Sequence, residues 1–468
     1  PKVGITLKES ATYTDFCNIN TGALRKDGSS GISEVSYLIL EVMDEMRLVQ
    51  PSSNVQISKK TPEIFLKKAA AISRKGWGQP AFYNSEAIIQ ELLNMGKSLD
   101  DARESGIASG CVETGTAGKE AYVLTGYLNV PKIFELVLFR GYDHYTKKQV
   151  GLDLGDPKQF ENYDALFDAF KKQLQYVVDT KVAGNHLIER MYMTHMPVPL
   201  LSVITDDCIQ KGVDYNAGGA RYNTSYIQVV GISTITDSLS AMKTHIYDKP
   251  SFDMARLLDA LKSDFVNDDE PWHLVDTAPK YGNDIDYVDS IVNDVIVNLS
   301  DELAKHRGHA GRRYTMAAGT VQYNIIFGFR TGALPDGRKA GEALGEGGIS
   351  PYQGRNMSGS TSTMRSVAKL DLARASGGAV LNMRFNPDGL KDESKMKRFA
   401  QMLKTFCATG GDLIQFNIVS SQTLRDAQAH PEEYRDLLVR VATYSAYFVD
   451  VPLEMQNDII ARTEFEEL

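Results

Sequence analysis

An α/β fold is predicted by two features of this sequence: helical periodicity recurs along its first third, and short apolar runs suited to buried strands fall between the helices. A third feature, the lack of any fixed-period repeat, low-complexity tract or long Pro/Gly/Ser linker, reads residues 1–410 as one body. Residues 411–468 read as a distinct terminal unit. In order along the chain, residues 3–7 suit a strand. Val35, Leu38, Ile39, Val42, Met43 and Met46 then follow the spacing of one helix face, which is expected to be buried. Thr61, Pro62 and Glu63 give a cap residue, a first-turn proline and a first-turn acid ahead of a second helix. Residues 85–95, stopped by Gly96, make a third, and residues 131–140, closed by Gly141, a fourth. Residues 109–114, 227–232 and 413–419 are the remaining strand candidates.

Composition narrows the function. With 468 residues, 43% of them apolar, the chain can bury large cores. A net charge of -9 and the lack of any Lys/Arg run argue against nucleic acid and favour small-molecule chemistry or protein partners. No apolar stretch reaches the roughly 18 residues that cross a bilayer, and the start shows no leader, so a cytoplasmic protein without a membrane partner is expected. Cys17, Cys111, Cys208 and Cys407 are scattered without C-x-x-C pairing, which disfavours a disulfide framework or a cysteine-built zinc site. The text opens at Pro1 in strand-like sequence, and further residues upstream are expected.

Cys111-Val112-Glu113 is the most informative segment. In an extended backbone residues two apart point the same way, which sets the Cys111 thiol beside the Glu113 carboxylate. A lone cysteine is most often a small buried hydrophobe. A nucleophilic thiolate needs a cation or a histidine to lower its pKa, and Glu113 has the opposite effect. This neighbour suits a thiol that reacts as a neutral thiyl radical, with the carboxyl passing a proton to or from a substrate. The glycines at 218 and 219 lack the G-K-[ST] ending of a phosphate loop, Gly96-Lys97-Ser98 lacks the upstream glycine, and His306 with His309 lacks a matched acid or cysteine pair, so no nucleotide or metal site is expected.

The string Gly110 to Gly115, followed by Gly118-Lys119-Glu120-Ala121-Tyr122 and Leu124-Thr125-Gly126-Tyr127, resembles the thiyl-cysteine loop of glycyl radical enzymes. Residues 4–20, 50–58, 76–84 and 218–223 extend the resemblance over nearly the whole chain. Near the end, Arg440-Val441-Ala442-Thr443-Tyr444 is similar to the R-V-x-G-Y radical loop of that family, backed by residues 458–463, with Thr443 standing where the family has its radical glycine. A glycine Cα, free of a Cβ, can flatten and share an unpaired electron with its flanking amides. A threonine side chain crowds that centre, so no stored radical is expected at Thr443 and the chain is expected to be inactive as it stands.

The resemblance implies the C-terminal portion of a ten-stranded barrel, with surrounding helices and two central finger loops, whose first half lies in residues upstream or in a partner chain. The hydroxyproline dehydratase branch matches best. It implies a radical dehydratase that turns trans-4-hydroxy-L-proline into 1-pyrroline-5-carboxylate and water, with diol dehydratases, choline lyases, arylacetate decarboxylases and a non-catalytic partner chain as alternatives. Cys111 and Glu113 are the implied catalytic residues. Ser10, Phe16 and Tyr127 fall at substrate contacts, and the pocket threonine aligns with Thr320 or Val321. No bound cofactor or metal is implied beyond a protein radical, installed by a radical-SAM activating enzyme, in what is implied to be a homodimer.

Overall fold

Two parallel blocks of strands meet back to back in the principal sheet. Its order is Asn18–Gly22, Ser52–Ile57, Ala81–Asn84, Leu413–Ile418, Val380–Phe385 and Glu464–Phe465. Neighbours run parallel except at Ala81–Asn84 and Leu413–Ile418, which are antiparallel with Leu413 opposite Tyr83. The structure, a computed structural model, describes residues 17–109 and 111–466. The predicted strand at residues 3–7 lies outside them.

A second, all-parallel sheet places Tyr222–Val230 between Glu120–Asn129 and Arg313–Ala317. A parallel bridge between Ala318 and Ala379 carries one sheet into the other. The combined array has Asn18–Gly22 at one end and Glu120–Asn129 at the other, and the described strands close no ring. Strands buried on both faces read as unbroken runs because there is no solvent face to alternate with: every residue of Ser52–Ile57 and Leu413–Ile418 is buried. This is the α/β architecture that the sequence predicts.

Helices pack over the sheets. In Tyr163–His195, Leu166, Phe170, Leu174, Val178 and Val182 recur every four residues on its buried side. Ile232–Met242 is buried on all sides, and its small residues, Ser233, Thr234, Ser238 and Ser240, let its neighbours approach. The helix predicted at 85–95 is Ser85–Asn94, capped by the Asn84 side chain, and that at 131–140 is Val130–Leu138, capped by Asn129. Glu34–Met46 is helical as its period predicts, but the stripe expected to be buried is covered only at Met43 and, in part, Ile39. Val35, Leu38, Val42 and Met46 are each more than half exposed, whereas Ser36, Leu40 and Met43 are buried. Periodicity fixes which residues share a face, not which face a neighbour covers. No helix among the described residues is long and apolar enough to cross a membrane.

Candidate active site

The antiparallel seam sets two hairpin tips against each other. The first hairpin pairs Gly106–Ser109 with Glu113–Thr116. The extended run expected over 109–114 is therefore interrupted by a turn at Cys111 and Val112, and this turn, rather than strand alternation, brings the carboxylate to the cysteine. Glu113 Oε2 accepts the backbone N–H of Cys111 at 2.9 Å and of Val112 at 3.1 Å, so the side chain closes its own turn. Gln228, from the middle strand of the second sheet, donates to Glu113 Oε1 at 2.6 Å. Behind the tip, the Tyr83 hydroxyl donates to the Cys111 carbonyl at 3.0 Å. Gly378 gives the turn its room, since a Cβ there would stand 2.0 Å from the Val112 carbonyl oxygen.

The second hairpin pairs Leu438–Arg440 with Ser445–Tyr447 and turns through residues 441–444. Its anchors come from Leu413–Ile418, the partner of Tyr83's strand. Asn417 exchanges two bonds with the Arg440 backbone, at 2.6 and 2.7 Å. Gln415 Oε1 accepts both Arg440 Nε at 2.9 Å and the Thr443 N–H at 3.1 Å. The Arg440 guanidinium folds over the tip to donate to the Thr443 carbonyl at 2.9 Å. Thr443 has φ of 73°, in the left-handed region that a β-branched residue seldom adopts.

These tips touch. The Thr443 hydroxyl donates to the neighbouring Ala442 carbonyl. Cys111, Val112, Val321, Val441 and Tyr444 share one apolar cluster, with Tyr127 packed against it. Burial first, and then the Glu113 charge, push the Cys111 thiol well above the ordinary thiol range, so the sulfur stays protonated. Burial also raises Glu113, against the backbone donors and Gln228 that favour its ionised form. Burial lowers Arg440 to about 10, still a cation at neutral pH. The arrangement holds a neutral thiol, a carboxyl able to carry a proton and a backbone loop in mutual contact, with Cys111, Glu113 and Thr443 each less than a tenth exposed.

The remaining sequence candidates divide. Tyr127 follows an irregularity in its strand and stacks on Tyr323, centroids 3.7 Å apart. Thr320 is fully buried, and among the described residues its hydroxyl has no hydrogen-bond partner; neither has Gln228 Oε1. A buried polar atom left without a partner costs about 1–3 kcal/mol. Ser10 and Phe16 lie outside the described residues. Sequence reasoning missed Gln228, Tyr83 and Gln415. Each is a polar residue on a strand segment buried on both faces, and sequence alone does not show that burial.

The family description "Pyruvate formate lyase-like" matches residues 1–328, and "Glycine radical" matches residues 346–449. The trans-4-hydroxy-L-proline dehydratase of Clostridioides difficile is 52% identical over 99% of this chain and 59% of its own length. The crystal structure of hydroxyproline dehydratase from that organism, with trans-4-hydroxy-L-proline bound, superposes with a TM-score of 0.95 over 100% of this chain and 59% of that one. A glycerol-bound B12-independent glycerol dehydratase from Clostridium butyricum, 37% identical, gives 0.93 over 96% of this chain and 57% of that one. The chain thus spans somewhat under two thirds of the relatives it matches.

Proposed function

This chain belongs to the pyruvate formate lyase-like glycyl radical enzymes, and on that premise we propose that it is the thiyl- and radical-loop portion of a trans-4-hydroxy-L-proline dehydratase. One observation carries the reading: the buried Cys111 thiol, kept protonated, shares one apolar cluster with Val441 and Tyr444 of the 443 hairpin, while its neighbour Glu113 can hold a proton. Hydrogen-atom transfer between the two loops needs proximity and a neutral sulfur, and this arrangement supports both.

In the proposed reaction the Cys111 thiyl takes a hydrogen atom from the ring carbon beside the nitrogen and becomes a thiol. Glu113 gives a proton to the neighbouring hydroxyl, which departs as water, and recovers one from the ring nitrogen. The Cys111 thiol then returns a hydrogen atom to the ring, which regenerates the thiyl and leaves 1-pyrroline-5-carboxylate. Burial protects such a radical from quenching. The unpartnered Thr320 hydroxyl and Gln228 Oε1 support a polar substrate, and Tyr127 on Tyr323 supplies an aromatic wall. Ser10 and Phe16 are proposed to complete the contacts. The radical unit is assigned to residues 411–468, with a radical-SAM activating enzyme as its partner.

Thr443 sets the condition for activity. Its Cβ opposes the planar radical that a glycine stabilises, so the chain as it stands is proposed to store none. The test is electron paramagnetic resonance on the chain completed to its relatives' length, treated anaerobically with an activating enzyme. With Thr443→Gly, a glycine-centred doublet and hydroxyproline turnover are expected; with Thr443, neither. Turnover by the Thr443 protein sinks the radical-storage claim. A doublet in the glycine variant with turnover of glycerol but not hydroxyproline moves the substrate to the diol dehydratases.

A further inference from the structure

Three groups of acids and histidines among the described residues bring ligand atoms close enough to share a cation, and none belongs to the proposed reaction. Two are accounted for. Lys369 pairs with each of Asp284, Asp286 and Asp289 and supplies the cation itself, while His430, Glu432 and Glu433 stand exposed in solvent. The third, Asp179, Glu302 and His306, is built into the contact between two helices.

Glu302 lies in the last turn of Asp286–Ala304, and His306 follows it by four residues, the spacing that stacks side chains on one helix face. Asp179 comes from Tyr163–His195, which packs against that helix. One ligand atom from each of the three lies within 4.8 Å of the other two, and His306 Nε2 stands 3.3 Å from Asp179 Oδ1. Zinc takes imidazole nitrogen at about 2.0–2.1 Å and carboxylate oxygen at about 2.0–2.2 Å, which sets its ligands about 3–4 Å apart, so small side-chain rotations complete the fit.

A second observation points to an occupant. The Glu302 side chain is 9% exposed, and its Oε2 accepts Lys305 at 2.5 Å, but Oε1 is buried with no hydrogen-bond partner. His306 Nε2 is buried without one as well, because its approach to Asp179 lacks hydrogen-bond geometry. A proton on His306 is directional and serves one acceptor, whereas a metal ion is reached by all three atoms and satisfies both orphans at once. His309, the neighbour that the sequence sets beside His306, bonds the His186 carbonyl at 3.0 Å instead. The acids come from one turn back and from another helix.

We propose that Asp179, Glu302 and His306 form a structural site for a divalent cation of the zinc class, which ties Tyr163–His195 to the end of Asp286–Ala304. One imidazole and two carboxylates suit zinc, nickel or cobalt better than magnesium or calcium, which take oxygen ligands. Asp179, with a side chain 53% exposed, gives the ion a path from solvent. The Lys305 ammonium beside Glu302 repels a second cation and lowers the affinity. The inference stands whatever substrate the Cys111 site takes.

Calorimetric titration of the chelator-treated chain with zinc chloride tests the site. One ion should bind, about tenfold or more weakly in His306→Ala and Asp179→Asn and unchanged in His309→Ala. Asp179 is exposed enough that its replacement leaves the fold intact, so equal affinity in wild type and Asp179→Asn overturns the proposal. Lys305→Ala should bind zinc more tightly; weaker binding there counts against ligation by Glu302. X-ray absorption of the zinc-loaded chain should show nitrogen and oxygen neighbours with one imidazole, and a sulfur shell would assign the ion to a cysteine and sink the site. Zinc at about 100 times its Kd should raise the melting temperature of the wild-type chain by about 3 °C and leave that of His306→Ala where it was. An equal rise in both places the stabilising ion elsewhere.

Discussion

The Cys111 hairpin and the 443 hairpin hang from adjacent strands of one sheet, and both are fastened by buried side chains to their own backbone groups. Tyr83 and Glu113 hold the first; Gln415, Asn417 and Arg440 hold the second. The difference lies in how well each tip suits its residues. At the first, Gly378 leaves room where a backbone carbonyl closes in, and the Glu113 side chain satisfies the N–H groups that the turn exposes. At the second, a β-branched residue occupies a left-handed conformation at φ of 73°. The backbone there has the shape of a glycine turn although the residue is a threonine. Anchors outside a loop can thus impose a conformation that the loop's own residue disfavours.

This contrast can be broken at its strongest point first. Gly378→Ala puts a Cβ against the Val112 carbonyl at φ of +87° and should lower stability by about 3 kcal/mol. Urea denaturation measures it, and an unchanged midpoint means the turn has room that the structure denies. Tyr83→Phe is the next test. It removes the donor to the Cys111 carbonyl without changing the packing, and the expected cost is about 1–3 kcal/mol for a buried unpaired acceptor. Hydrogen exchange should place that loss in the first hairpin; a loss confined to the 443 hairpin would show that the two anchors are not separate.

The smallest effect sharpens the comparison most. Thr443→Gly relieves a left-handed β-branched residue and should raise stability by about 1 kcal/mol, after the greater unfolded-state freedom of glycine is subtracted. A melt of the chain alone measures it, with no activating enzyme needed. Destabilisation by a similar amount would mean that the threonine's contacts, including its hydroxyl's bond to the Ala442 carbonyl, outweigh its backbone strain.

The sequence by itself determined the α/β class, the helices at Ser85–Asn94 and Val130–Leu138, the family, and the pairing of Cys111 with Glu113, because each rests on residues close together in the chain. Local signals such as caps, turn glycines and side-chain period act over a few residues and survive without knowledge of the rest. The face that Glu34–Met46 turns inward depended on which neighbour covers it, and periodicity carries no such information. The turn at Cys111 was hidden for a related reason: its stabilising bonds come in part from Tyr83 and Gln228, 28 and 115 residues from the groups they meet. Likewise the two hairpins meet only because antiparallel pairing sets Ala81–Asn84 beside Leu413–Ile418, more than 300 residues away in the chain. Where a buried polar group finds its partner is decided by strand order and register, and only the tertiary structure supplies those.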